Sequence, residues 1–213
     1  MRWAIAPAAW LFRAGLAFAI HIMAAPRVIW AGSSPSTRQR VYFANHTTNA
    51  DLPLIWTALP PALRRRARAV AAADYWLKNP IRTFIGRHVF DGVRVDRRPD
   101  KADGHDPMAR IRTALDSGDS LIIFPEGRRN DTDEPLLPLK AGLYNIAQSH
   151  PHVELIPVWI SNLNRVMPRG ETVPIPVISL ICFGAPLEVR RNEDKETFLA
   201  RAAGAMLEAR EQA

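Results

Sequence analysis

The chain has 213 residues, with 28 Lys and Arg against 21 Asp and Glu, for a formal charge of +7. That length supports one domain whose core needs no disulfide. Cys182 is the only cysteine, which excludes an intrachain bridge and a CxxC or zinc-finger framework. Its setting, Leu180-Ile181-Cys182-Phe183, reads as a buried apolar position rather than a nucleophile.

The positive charge is unevenly placed. Up to Asn49 the chain carries Arg2, Arg13, Arg27, Arg38 and Arg40 and no acidic residue, and a second cluster follows at Arg64, Arg65, Arg66 and Arg68. Such asymmetry suggests an anionic partner, either phospholipid headgroups or nucleic acid. The first tract is interleaved with Trp, Phe, Leu and Ile, which favours a lipid surface. No helix-turn-helix, RNA-recognition aromatic pair or finger spacing is present, so nucleic acid is not the expected partner.

Residues 1–31 are expected to form an apolar and basic helical segment. Leu11, Ala14/Gly15, Phe18 and Ile22 fall on one helical stripe. The run free of Lys, Arg, Asp and Glu, from Ala14 to Pro26, falls well short of the roughly 20 residues of a spanning helix. Arginines at its edges and tryptophans at Trp3, Trp10 and Trp30 suit a helix lying among headgroups. A helix packed on the core fits the same pattern equally well. Arg13 splits the apolar run, which argues against a cleaved signal peptide.

The main domain is expected over 38–213. A strand over 41–44 runs into His46, and a helix begins at Asp51 or Leu52, with Pro53 tolerated in its first turn. Further strands are predicted at 67–73, 88–97 (a strand or hairpin around Gly92), 121–124, 153–160 and 177–183. Helices are predicted at 75–86, 107–116 and 139–148, and a last one is capped by Asn192 with Glu193 and Asp194 in its first turn. Asp100 to Asp106 reads as a polar loop, and 161–176 as a long excursion containing Pro and Gly. Strands alternating with helices indicate a single α/β domain with a mixed central sheet flanked by helices.

Two stretches carry the chemistry. His46 and Asp51 would lie about 140° apart on a helix and roughly 16 Å apart on a strand, so only a turn between strand and helix lets them touch. A carboxylate orienting an imidazole at a strand's mouth is a candidate proton-transfer pair. Phe124-Pro125-Glu126-Gly127-Arg128-Arg129 also follows an apolar strand, at the kind of edge where α/β sheets build sites. Glycine lets the backbone approach a ligand closely, and guanidinium groups match phosphate oxygens.

Asn45-His46-x-x-x-x-Asp51, followed by Phe124-Pro125-Glu126-Gly127-x-Arg129, resembles the glycerolipid acyltransferase family typified by lysophosphatidic acid acyltransferases. Val93 to Arg97 resembles its strand block ending in an acidic residue and an arginine. Leu155-Ile156-Pro157-Val158 resembles its late apolar block. The resemblance implies that His46 is the general base and Asp51 its orienting partner. It further implies that Arg97, Glu126, Gly127, Arg129 and Lys140 hold the phosphate and glycerol of the acceptor. Where the family has Thr and Ser around the arginine of the Pro-Glu-Gly block, this chain has Arg128 and Asn130.

The implied reaction is transfer of a fatty acyl group from acyl-CoA or acyl-carrier protein to the free hydroxyl of a lysophospholipid. The expected acceptor is 1-acylglycerol 3-phosphate, with no metal or cofactor beyond the acyl donor, on the cytoplasmic face of a membrane. The same chemistry on another lysolipid or on glycerol 3-phosphate is the alternative that Arg128 and the 161–176 excursion leave open. From another class, a non-catalytic module binding anionic lipid would explain the charge alone. A metal hydrolase would need a third ligand that no further His-rich motif supplies.

Overall fold

A computed structural model of the chain describes residues 14–15, 18–20, 22, 25–72, 83–86, 89–95, 106, 108–161 and 179–213. The expectations for 75–82, for Arg97, for 100–105 and for 162–178 therefore lie outside the described residues, as does most of 1–24.

The described chain is built on a mixed sheet of seven strands in the order β1-β7-β6-β2-β5-β3-β4. The strands are β1 (Arg27–Trp30), β2 (Arg40–Ala44), β3 (Ala67–Ala72), β4 (Val93–Val95), β5 (Ser120–Ile123), β6 (Glu154–Ser161) and β7 (Leu180–Phe183). Helices α1 (Asp51–Ala58), α2 (Pro61–Arg64), α3 (Ala109–Asp116), α4 (Gly142–Ser149) and α5 (Lys195–Glu211) connect and cover them. β2 to β6 run parallel, β7 is antiparallel to β6, and β1 is parallel to β7. The C-terminal ends of β2 and its neighbour β5 therefore open on the same edge.

Side-chain alternation along β2 separates two cores. Tyr42 and Ala44 pack with Leu54 and Ile55 of α1, and with Leu59 just after it, on one face. Val41 and Phe43 pack with Leu115 of α3, Ile146 of α4, and Phe198 and Met206 of α5 on the other. A central parallel strand covered on both faces reads as a continuous apolar run, and every residue of β2 is buried. Even Arg40 is buried, its guanidinium held by Glu154 (2.7 Å) and the Ser34 carbonyl (2.7 Å). Cys182 is fully buried on the second face, as expected, and burial pushes its thiol pKa up.

Three expectations need correction. Arg27–Trp30 is a strand, not the end of a helix, and it enters the sheet ahead of residue 38, where the domain was expected to open. Its register with Leu180–Phe183, and the stacking of Trp30 on Phe183 (centroids 4.2 Å), are long-range contacts that no local periodicity carries. Val93–Val95 pairs parallel with β3, so Gly92 turns no hairpin. The cap of α5 is Asp194, whose carboxylate accepts from the Thr197 N–H (2.9 Å) and hydroxyl (2.7 Å). Asn192 instead takes a left-handed turn conformation (φ +58°). Of the amino-terminal segment, Ala14, Gly15, Phe18 to Ile20 and Ile22 are helical. Ile20 packs on the first core, while Phe18 and Ile22 are exposed. Among the described residues no helix is long and apolar enough to cross a membrane.

Candidate active site

β2 ends at Ala44, and Asn45 carries its pairing one step further with a side chain. The carboxamide accepts from Ile160 N (2.8 Å) and donates to Ile160 O (3.1 Å), imitating a strand ladder where the backbone has begun to turn. The next residue, His46, leaves the sheet edge in a fixed direction. Asp51 opens α1 and folds back toward it, so the turn required by the spacing is formed.

The His46–Asp51 contact is short and well supported. Nδ1 of His46 lies 2.8 Å from Oδ2 of Asp51. The same oxygen accepts from the backbone N–H groups of Thr47 (2.6 Å) and Thr48 (2.8 Å), and Oδ1 accepts from the Thr48 hydroxyl (2.9 Å). Asp51 is completely buried, and a carboxylate withdrawn from water is tolerated only when donors surround it. With the carboxylate on Nδ1, that nitrogen carries the proton and Nε2 presents its lone pair. Nε2 has no partner among the described residues, and the imidazole is 21% exposed.

The Phe124–Asn130 segment, entered from β5, encloses His46 on its remaining sides. The Phe124 ring stacks on the imidazole (centroids 4.3 Å, 22° between planes). The His46 N–H donates to Oε1 of Glu126 (2.7 Å), and its carbonyl accepts from Asn130 N (2.6 Å). Backbone, ring face and Nδ1 are thus all held, and Nε2 is the free atom.

Glu126 is not placed as a group that faces a ligand. It is 1% exposed, and its second oxygen accepts from Leu137 N (2.8 Å). Burial raises its pKa, partly offset by the N–H groups of Leu137 and His46. Glu126 was expected to hold the acceptor; in the fold each of its oxygens accepts from one main-chain N–H. Gly127 has φ +73°, a conformation that favours glycine, and a Cβ there would come within 3.2 Å of Lys140 Cγ, so the lysine stem passes close over it. Lys140 is pinned at its backbone, N to Pro125 O (2.8 Å), while its side chain is exposed. Arg129 is exposed too, and neither cation has a hydrogen bond or ion pair with a described residue. Arg128 reaches Asp131 (3.3 Å), and both are largely exposed. Arg97 lies outside the described residues.

Asn130 departs from the family's usual serine and turns out to shape the loop. Buried, it accepts from Thr132 N (3.0 Å) and Oγ1 (2.7 Å) and donates to Glu134 O (2.7 Å). Sequence reasoning assigned no role to Asn45, Phe124 or the Thr47 and Thr48 N–H groups. Their adjacency to the two motifs was the available signal. Among the described residues no cluster of three or more His, Cys, Asp or Glu could hold a metal ion.

A buried carboxylate, an oriented imidazole whose Nε2 has no partner among the described residues, and loop cations unpaired among those residues make an arrangement able to take a proton from an alcohol. The acyltransferase family model matches residues 27–161, more than half of the chain, and the chain belongs to that family. It is similar to the 1-acyl-sn-glycerol-3-phosphate acyltransferase of Limnanthes alba, 25% identical over 148 residues, covering 68% of this chain and 50% of that protein. The enzyme of the same name from Cocos nucifera is 28% identical over 157 residues, covering 67% and 46%. The chain thus spans about half the length of the curated relatives it matches. The fold matches the crystal structure of the 1-acyl-sn-glycerophosphate acyltransferase of Thermotoga maritima, with a TM-score of 0.71 and 20% identity over 94% of this chain and 78% of that one.

Proposed function

We propose that the protein transfers a fatty acyl group from a thioester, acyl-CoA or acyl-carrier protein, to the free hydroxyl of 1-acylglycerol 3-phosphate, giving phosphatidic acid. The observation that carries this reading is the His46–Asp51 pair, with Nε2 unpartnered among the described residues and the His46 main chain tied to the loop that bears Arg129. The names of the relatives supply the acceptor class.

In this mechanism Nε2 takes the proton of the acceptor hydroxyl as its oxygen attacks the thioester carbonyl. The new C–O bond forms, the tetrahedral intermediate collapses with cleavage of C–S, and the departing thiolate takes the proton back from the imidazolium. Asp51 holds the tautomer and stabilises the transient positive charge. Arg129 and Lys140, together with Arg97, neutralise the acceptor phosphate and fix the hydroxyl near Nε2. No covalent acyl-protein is formed, so positioning two substrates provides much of the acceleration. Both lipids reside in a bilayer, so the protein works at the cytoplasmic membrane surface, with the exposed Phe18 and Ile22 on the segment expected to contact it.

The test is a panel of lysophosphatidic acid, other lysophospholipids and glycerol 3-phosphate, each with acyl-CoA and acyl-carrier protein, on wild type beside His46→Ala. Fastest thioester consumption with lysophosphatidic acid, lost in the variant, is expected. Undiminished turnover in His46→Ala removes the base; preference for another acceptor changes the substrate.

A further inference from the structure

Glu126 is a buried carboxylate with no cation on it among the described residues, set between two backbone N–H groups from segments far apart in sequence. One donor is His46, the end of the β2 turn; the other is Leu137, on the return of the loop that begins after β5. Asn130 N to His46 O (2.6 Å) makes a second tie between the same two segments. A carboxylate offers an acceptor to both N–H groups at once, whereas an amide has a donor on one side and must lose one bond. Burial of the carboxylate is unfavourable in itself, so its presence calls for a compensating use.

We propose that Glu126 is a positioning residue that couples the general base to the anion-binding arm. Resting on the function above, this assigns Glu126 no contact with the acceptor. Its carboxylate holds the His46 main chain and the 124–137 loop as one body. Gly127, packed under the Lys140 stem, and Arg128-Arg129 follow it directly, so engagement of the acceptor phosphate is transmitted to the position of Nε2. The charged and titratable neighbours acting on Glu126 are His46 and Asp51; neither hydrogen-bonds the carboxylate through its side chain.

The experiment compares Glu126→Gln and Glu126→Asp with wild type in steady-state kinetics, and measures backbone hydrogen exchange at His46 and Leu137 with no substrate present. In Glu126→Gln, kcat is expected to fall about 10²-fold, the loss typical of a displacement near 1 Å. The KM for lysophosphatidic acid should stay within a factor of about three, as for an interaction that touches no substrate. Exchange at one or both amides should accelerate, and Glu126→Asp should show the same pattern. An acceptor KM that rises tenfold or more with unchanged apo exchange assigns Glu126 to the substrate and overturns the coupling. Should the variants not fold, wild type decides: unprotected exchange at both amides ends the proposal, and protection supports it. The exchange arm stands apart from the reaction itself. Absence of acyl transfer in wild type therefore defeats the function and leaves the clamp decided by exchange.

Discussion

Glu126 and Glu193 are both nearly withdrawn from water, at 1% and 9% exposure, and their environments are opposite. Glu193 sits where α4 meets α5 and is gripped by Arg201 through two short bonds (2.6 and 2.7 Å), with Arg190 N adding a third (2.9 Å). The guanidinium holds its pKa below the usual carboxylate range. Glu126, at the active edge, is served by neutral N–H groups alone, and burial pushes its pKa up. One carboxylate stabilises the fold. The other is kept against a desolvation cost, and the geometry it fixes is that of His46. The same division separates the cations. Arg40, Arg64, Arg68 and Arg201 are engaged in caps and ion pairs, whereas Arg129 and Lys140 have no such partner among the described residues.

The sharpest way to break this division is at His46. His46→Ala is expected to lower kcat by about 10³-fold, the middle of the range for general-base catalysis, while thermal unfolding moves little. Only the ring contacts to Phe124 and Asp51 are lost from the fold. A drop in Tm of more than about 5 °C without the rate loss would place His46 among structural groups. Asp51→Asn tests the same edge with a mixed outcome. An amide oxygen in the Oδ2 position can still accept from His46 and from the Thr47 and Thr48 N–H groups, but the negative charge is lost and an NH2 replaces the acceptor of the Thr48 hydroxyl. We expect about 10²-fold in kcat together with a stability loss of about 2 kcal/mol, read by denaturant unfolding.

Much of the active edge was legible because its residues are local. His46 and Asp51 meet through a turn forced by their spacing, and Gly127 is required by a backbone conformation that glycine alone adopts without strain. What stayed hidden depends on contacts between distant segments. β1 looked helical because its Val, Ile and Trp continue an apolar run, and only the pairing of Ile29 with Cys182 makes it a strand. Glu126 was expected at the acceptor because the family resemblance places the Pro-Glu-Gly block there. Its two partners, Leu137 and His46, are set by the tertiary path. Arg64 looked like part of a surface cluster. It caps α1 through the Thr57 and Leu59 carbonyls (2.6 and 3.0 Å) and covers the Trp56 ring at 4.8 Å.

At the other end of the comparison, Arg201→Met leaves Glu193 buried without its cation. It also removes the bond to Glu188 O (2.7 Å). Partial exposure of Arg201 (23%) reduces the penalty below that of a fully buried pair. About 2 kcal/mol of unfolding free energy should be lost, with kcat and KM within a factor of about two of wild type. A loss of activity matching that of Asp51→Asn would show that the α4–α5 junction is mechanically tied to the active edge.

The smallest effect is the one that separates the carboxylates by sign. A depressed pKa in the fold means that Glu193 contributes stability above its unfolded value, about 4.3, and loses it as pH falls through the lower folded value. Glu126 is the reverse. Its raised pKa gives a stabilising contribution present below the unfolded value and lost as pH rises through the folded one. Unfolding of wild type, Glu193→Gln and Glu126→Gln across that acidic range should therefore show opposite trends. The stability of wild type relative to Glu193→Gln shrinks on acidification, and relative to Glu126→Gln it grows. Each change is expected to be on the order of 1 kcal/mol or less. Parallel trends would mean that the two buried carboxylates do the same work, and Glu126 would then have to be counted with the structural pairs.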